Sequence, residues 1–174
     1  MDQSHLNWLT NFIWNIADNI LRDVYVRGKY RDVILPMTVL RRLNAVLEPT
    51  KKAVLEMKAA LDREQVTNQD DALRTASGQD FYSTSPFLLR DLKSRVTHQQ
   101  KLRDDFEVYP DGFSPNVQDI LTNFEFRNQI PRLSKADALG QLIEKFLDKD
   151  INISPYPVGD LPATFRIMSL SAIG

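Results

Sequence analysis

The sequence predicts an all-α fold, a compact multi-helix bundle with long polar connections. Apolar residues recur at steps of three and four along most of the chain, and no segment alternates cleanly over strand length. Hydrophobic residues make up 43% of 174, enough to bury one core at ordinary domain size. Serine–proline pairs suited to helix entry occur at Ser85–Pro86 and Ser114–Pro115. There is no internal repeat and no low-complexity tract. Residues 1–155 are read as the helical domain and 156–174 as an atypical tail.

Residues 4–24 form the first expected helix. Leu6, Leu9, Ile13, Ile16, Ala17, Ile20 and Val24 share one face, and Asn7, Asn11, Asn15, Asp18 and Arg22 the other. Gly28 is the expected stop. Residues 29–48, KYRDVILPMTVLRRLNAVLE, form the second. Val33, Met37, Leu40, Leu43 and Leu47 cluster on one side, and Leu35, Val39 and Val46 widen the apolar arc beyond half the circumference. Such a helix belongs at the centre of a bundle. Pro36 removes the bond to the Asp32 carbonyl and predicts a kink or a late start. The narrow remaining face carries Arg31, Thr38 and Arg42, with Arg41 on its flank.

A third helix is expected after Pro49, through Val54, Leu55, Met57 and Leu61. Residues 64–84 are polar and read as a long connection with one helical turn. Ser85 and Pro86 open a short helix. In YPDGF, Pro110 fixes φ and Gly112 is expected to supply a positive φ. Ser114 and Pro115 open another helix, with Val117, Ile120, Leu121 and Phe124 on one stripe. Ser134 is the expected cap of the last helix, with Asp137 three residues on. Leu139, Leu142, Ile143 and Phe146 form its buried face. After Arg166 the tail is apolar and uncharged, fitting a loose end or the stump of something larger.

Several chemistries lack their residues. Net charge is −1, so no global field drives the chain onto nucleic acid or membrane. No apolar run approaches the ~20 residues that span a bilayer, and no basic region precedes an apolar core at the N-terminus. The absence of cysteine excludes disulfides and thiolate metal sites and fits a reducing, cytoplasmic location. Gly28, Gly78, Gly112, Gly140, Gly159 and Gly174 are too scattered for a phosphate-cradling loop. His5 and His98 lack metal-ligand spacing. Asp70–Asp71 and Asp104–Asp105 have no partner motif and read as solvated helix ends. No nucleophile stands at a recognisable spacing from a base. No metal site and no catalytic residue is assigned.

The charge is divided along the chain. Between residues 22 and 63, Arg22, Arg27, Lys29, Arg31, Arg41, Arg42, Lys51, Lys52, Lys58 and Arg63 outnumber the acids; between 104 and 150 the acids prevail. Two readings stand. Either the basic surface is solvated or pairs with the acidic half of the same molecule, or Lys29, Arg31, Arg41 and Arg42 line an edge that meets phosphates. Arg31 and Arg42 lie about 16 Å apart along a straight helix, and such contacts position DNA rather than read its sequence. Trp8 and Trp14 lie at the edges of the first apolar stripe, as core-sealing residues or partner contacts. Phe12 and Phe146 are expected in the core, and the Phe81–Tyr82 pair is expected to pack against the bundle.

The stretches YRDVILPMTVLRRLNAVLEPTK, GQDFYSTSPFLLRDL and YPDGFSPNVQDILTNFEFRNQI, flanked by NFIWNIADNILR and LGQLIEKFLDKDINISP, resemble the N-terminal helical domain of the modification subunit of type I restriction–modification enzymes. The likeness covers about residues 8–155 and rests on the order and spacing of the pieces. It implies a full-length adenine-N6 DNA methyltransferase using S-adenosylmethionine. It also implies partners: double-stranded DNA held by its backbone, a specificity subunit, and a restriction subunit in the nuclease. The Gly-rich cofactor loop and the Asn-Pro-Pro-aromatic motif of that family are not in this sequence, so no cofactor is assigned to this chain. Residues 156–174 depart from the pattern, as a truncated end, a frameshifted tail or an isolated product. On this resemblance the DNA-binding candidates are Arg27, Lys29, Arg31, Arg41, Arg42, Lys51 and Lys52, and the partner-binding candidates are Trp8 and Trp14. The alternative is a protein-interaction module with no DNA contact.

Overall fold

The computed structural model describes residues 3–148, and the expected tail at 156–174 lies outside them. The fold is all-α. Helix α1 (Gln3–Leu21) leads through a turn and a single 3-10 turn at Arg27–Lys29 into α2 (Arg31–Leu47). A second 3-10 turn at Glu48–Thr50 joins α2 to α3 (Lys51–Arg63), and α4 (Asp70–Ser77) packs back on α3 as an outer hairpin. Then come α5 (Leu89–Lys93), α6 (Gln99–Val108), α7 (Pro115–Asn123), α8 (Phe126–Lys135) and α9 (Ala138–Phe146). No helix among the described residues is long and apolar enough to cross a membrane.

Helix α2 is the axis of the bundle. Every residue from Val33 to Leu40 is buried, and α8 and α9 pack against it. The helix runs on through Pro36. Thr38, expected on an open polar strip, is also buried; its hydroxyl donates to the Ile34 carbonyl at 2.7 Å. Beside this axis Phe106, Tyr109, Phe113 and Phe126 interlock, with Phe126 edge-on to Phe106 at 5.9 Å and Phe113 edge-on to Tyr109 at 5.4 Å.

Several boundaries differ from the sequence reading. Helix α1 stops at Leu21 rather than Gly28, because Val24 and Tyr25 both donate back to the Leu21 carbonyl and Tyr25 turns into the bundle. Ser85 does not cap α5. Its hydroxyl accepts from the Phe87 amide, and α5 begins at Leu89. There the Asp91 carboxylate accepts from the Leu88 amide, while Asn44 of α2 reaches across to accept from the Leu89 amide at 3.0 Å. Ser134 lies in the last turn of α8, and α9 starts behind Asp137 at φ 58°. Ser114 does precede α7, but its hydroxyl bonds Asn116 and the Tyr82 amide rather than the helix end.

Gly112 is needed for space rather than for a positive φ. Gly78 is the glycine with positive φ among the described residues. A Cβ on Gly112 would sit 2.4 Å from the Ser85 nitrogen, because the 109–114 turn pairs with the 82–84 strip through Thr84 N to Gly112 O and Ser114 N to Tyr82 O. Gly112→Ala is therefore expected to lower stability by about 1–3 kcal/mol, through displaced backbone. Asn44→Leu is expected to cost roughly 1–3 kcal/mol, since the buried Leu89 amide loses its acceptor. Urea unfolding of each variant checks both; parent-like midpoints would contradict the two contacts.

Candidate nucleic-acid interface

The sequence-nominated cations do not share one open edge. Arg27, Lys29 and Arg31 stand together at the α1–α2 turn, with side chains 84%, 63% and 71% exposed. Each has a loose carboxylate neighbour: Asp18 lies 3.6 Å from Arg27, and Asp32 lies 3.5 Å from Lys29 and 3.7 Å from Arg31. Lys52 is exposed on α3, 3.8 Å from Glu56. These are pairs in high dielectric with little hold on their cations.

Arg41 and Arg42 differ from expectation. Both are half-buried, and burial lowers both guanidinium pKa values, opposed at Arg41 by the charge of Glu48. The Arg41 Nε is buried without a hydrogen-bond acceptor. The buried stretch from Val33 to Leu40 separates them from Arg31, so the continuous strip linking Arg31 to Arg42 does not form.

Lys51 is the clearest correction. It is 8% exposed, and its ammonium donates to the Ser83 carbonyl and hydroxyl, each at 3.2 Å. Its amphipathic stem and terminal charge anchor the strip beneath α3 rather than face solvent. Burial pushes the Lys51 amine down to about 8, partly opposed by the charge of Asp91.

The nominated tryptophans lie on α1, with Trp8 43% and Trp14 39% exposed. Trp8 stacks on Phe12 at 5.0 Å. Phe146 is fully buried and Phe12 half-buried. Phe81 is buried, and the Tyr82 hydroxyl donates to Asp70. Asp104 and Asp105 sit within α6 rather than at its end, and Asp105 pairs with Arg95 at 3.0 Å. No metal-binding group of three or more His, Cys, Asp or Glu occurs among the described residues.

Two arginines outside the nominated set join the α1–α2 turn. Arg22 bonds Asp18 at 3.0 Å. Arg132, from α8, lies over the Tyr25 ring at 4.1 Å and donates to the Val24 carbonyl. The Tyr25 hydroxyl donates to Gln129, one turn earlier on α8. The Arg22 hydrogen bond, against the cost of burial and helped by the charges of Arg22 and Arg27, holds the Asp18 carboxyl below its ordinary range. Arg22 stood in the sequence as one cation among many. Arg132 sits in the acidic half, and no local pattern joins it to residues near 25.

A family model described as the HsdM N-terminal domain matches residues 9–146. The chain belongs to that family. HsdM is the modification subunit of type I restriction–modification systems, in agreement with the resemblance read from the sequence. Comparisons with curated proteins and with solved structures gave no match. The matched residues of this HsdM N-terminal domain run from within α1 to the end of α9.

The Lys51 anchor has a pH signature. Its folded-state pKa, about 8, lies below the ordinary ~10.4 of an unfolded lysine. Between those values the unfolded chain binds more protons, so stability rises with pH. The gain from pH 8 to 10 is expected to be about 1–2 kcal/mol, and Lys51→Met should remove it. Chemical denaturation of both proteins across that range checks it; parallel pH curves would contradict the desolvated ammonium.

Proposed function

We propose that this HsdM N-terminal domain is the DNA-clamping and subunit-assembly part of a type I adenine-N6 DNA methyltransferase subunit. The observation that carries the DNA half is the exposed cluster of Arg27, Lys29 and Arg31 at one turn, with loose carboxylate neighbours. Phosphates that displace those weak pairs release counterions, which is the main source of sequence-independent affinity. Such contacts hold and orient the duplex, and the reading of sequence falls to a specificity subunit. Methyl transfer, and the S-adenosylmethionine it consumes, belong to the methyltransferase part of the full-length subunit. A restriction subunit completes the nuclease. The cytoplasm, where DNA and the cofactor are both present, is the proposed location.

A specific observation favours a second reading for another surface. From residue 3 to residue 17, α1 has no Asp, Glu, Lys or Arg. Its outward positions include Asn7, Asn11 and Asn15, with Trp8 and Trp14 exposed beside them. Charge depletion with exposed tryptophan is the composition of an interface centre. In this reading the domain is a protein-interaction module that joins the specificity subunit and makes no direct DNA contact.

The two readings separate in two measurements. Titration of a labelled duplex is expected to show micromolar or weaker binding that falls steeply with salt, abolished by combined Arg27→Glu, Lys29→Glu and Arg31→Glu. Salt-independent binding, or binding that survives this triple reversal, would remove the DNA role. Retention on the specificity subunit in nuclease-treated extract, lost in Trp8→Ala with Trp14→Ala, supports the α1 surface; unchanged retention would discard it.

A further inference from the structure

Resting on the DNA reading above, we propose that the cleft between the α1–α2 turn and α8 seats a phosphodiester of the duplex backbone, with Arg132 as the α8 contribution to the interface. The cleft has a volume of about 770 Å³, and Arg22, Arg27 and Arg132 all line it. These arginines come from two elements far apart in sequence, so the site exists only in the folded chain.

The chemistry of the cleft is that of a sugar-phosphate binder. A guanidinium presents five N–H donors in a plane, and Arg132 commits one edge to the Val24 carbonyl while its face rests on Tyr25. Stacking fixes the plane and leaves the other donors for an anion. The Tyr25 ring is itself fixed by its bond to Gln129 at 2.8 Å, so Arg132 is pre-set before any ligand arrives. Arg22 and Arg27 are steered toward the same space by Asp18, which also accepts from the Tyr30 hydroxyl at 3.4 Å. Val24 and Val26 supply apolar wall, and Val26 is 73% exposed. Guanidinium beside apolar wall suits a phosphodiester with its deoxyribose better than a bare anion.

Two carboxylates, Asp18 and Asp23, also line the cleft. Asp18 is engaged by Arg22, Arg27 and Tyr30. Asp23 is exposed, and a seated phosphate would feel its repulsion. The sign of the Asp23 effect therefore separates an anion seat from a merely structural arginine stack.

The test is a fluorescence-anisotropy titration of a labelled duplex with the full chain at several salt concentrations. Arg132→Gln is expected to weaken binding about three- to tenfold and to flatten the log–log salt slope by about one. Arg22→Gln, whose partner is a surface carboxylate, should do the same without disturbing the Tyr25 stack. Asp23→Asn should tighten binding several-fold, and Lys101→Gln, on α6 outside the cleft, should change nothing. Parent-like affinity and slope in Arg132→Gln and Arg22→Gln, with binding still lost in the Arg27, Lys29 and Arg31 reversal, overturns this cleft and leaves the DNA reading intact. No duplex binding by the parent overturns both. Unchanged duplex titrations combined with lost capture of the specificity subunit assign the cleft to a protein partner and overturn the phosphodiester seat.

Discussion

The burial of α2 on all sides governs the rest of the molecule. From Val33 to Leu40 no position faces solvent, and a charge placed there would have to shed its water without a partner. The helix therefore carries its most exposed cation, Arg31, at its start, and its later arginines, Arg41 and Arg42, half-buried beyond Leu40. Even there desolvation lowers their guanidinium pKa values. The hydrophobic demand of the core thus leaves the most exposed cations of the segment from α1 to α2 at the turn between them. The same demand makes α2 the organiser of its neighbours, since Asn44, itself buried, supplies the acceptor that α5 lacks at its first amide.

Much of the fold was legible because its strongest elements are periodic. α1, α2, α7 and α9 announce themselves by apolar stripes whose described residues are mostly buried, whereas of the expected α3 stripe Val54 is buried, Leu55 and Leu61 are half-buried and Met57 is exposed. What failed were signals whose physical use depends on distant residues. Ser85 and Ser134 have the chemistry of caps, but a serine hydroxyl also closes local turns, and at Ser85 that use prevails. Helix α8 went unread although Phe126, Ile130 and Leu133 follow helical spacing, because Pro131 argues against helix and the helix is short. In α4 a polar sequence with Leu73 as its buried hydrophobic residue folds because α3 provides the surface to cover it.

The candidate interface was half legible for a related reason. Arg27, Lys29 and Arg31 are close in sequence and stay close in space. Lys51 looks like an exposed lysine beside Lys52, yet adjacent residues on a helix point about 100° apart, and the inward one meets the Ser83 carbonyl. Arg132 could not be found from sequence at all. It belongs to the half of the chain where acids prevail, and only the packing of α8 against α2, with Tyr25 turned inward, brings it to the turn.

A near-neutral domain can still present a useful field, because screening makes the local arrangement matter more than the total. At physiological ionic strength charges farther apart than ~8 Å are largely hidden from each other. A phosphate at the α1–α2 turn therefore feels Arg22, Arg27 and Arg132 with Asp18 and Asp23, and hardly feels acids on distant helices. Residues 3–17 of α1, without Asp, Glu, Lys or Arg, then form a surface of different character just before that turn. The chain passes from this uncharged, tryptophan-bearing face of α1 to the cations of the turn that follows Leu21. If both proposed surfaces are used, this separation would keep the protein surface and the phosphate surface apart. A protein core would leave the arginines' charge unsolvated, and a duplex would find nothing to neutralise its phosphates along Asn7, Asn11 and Asn15.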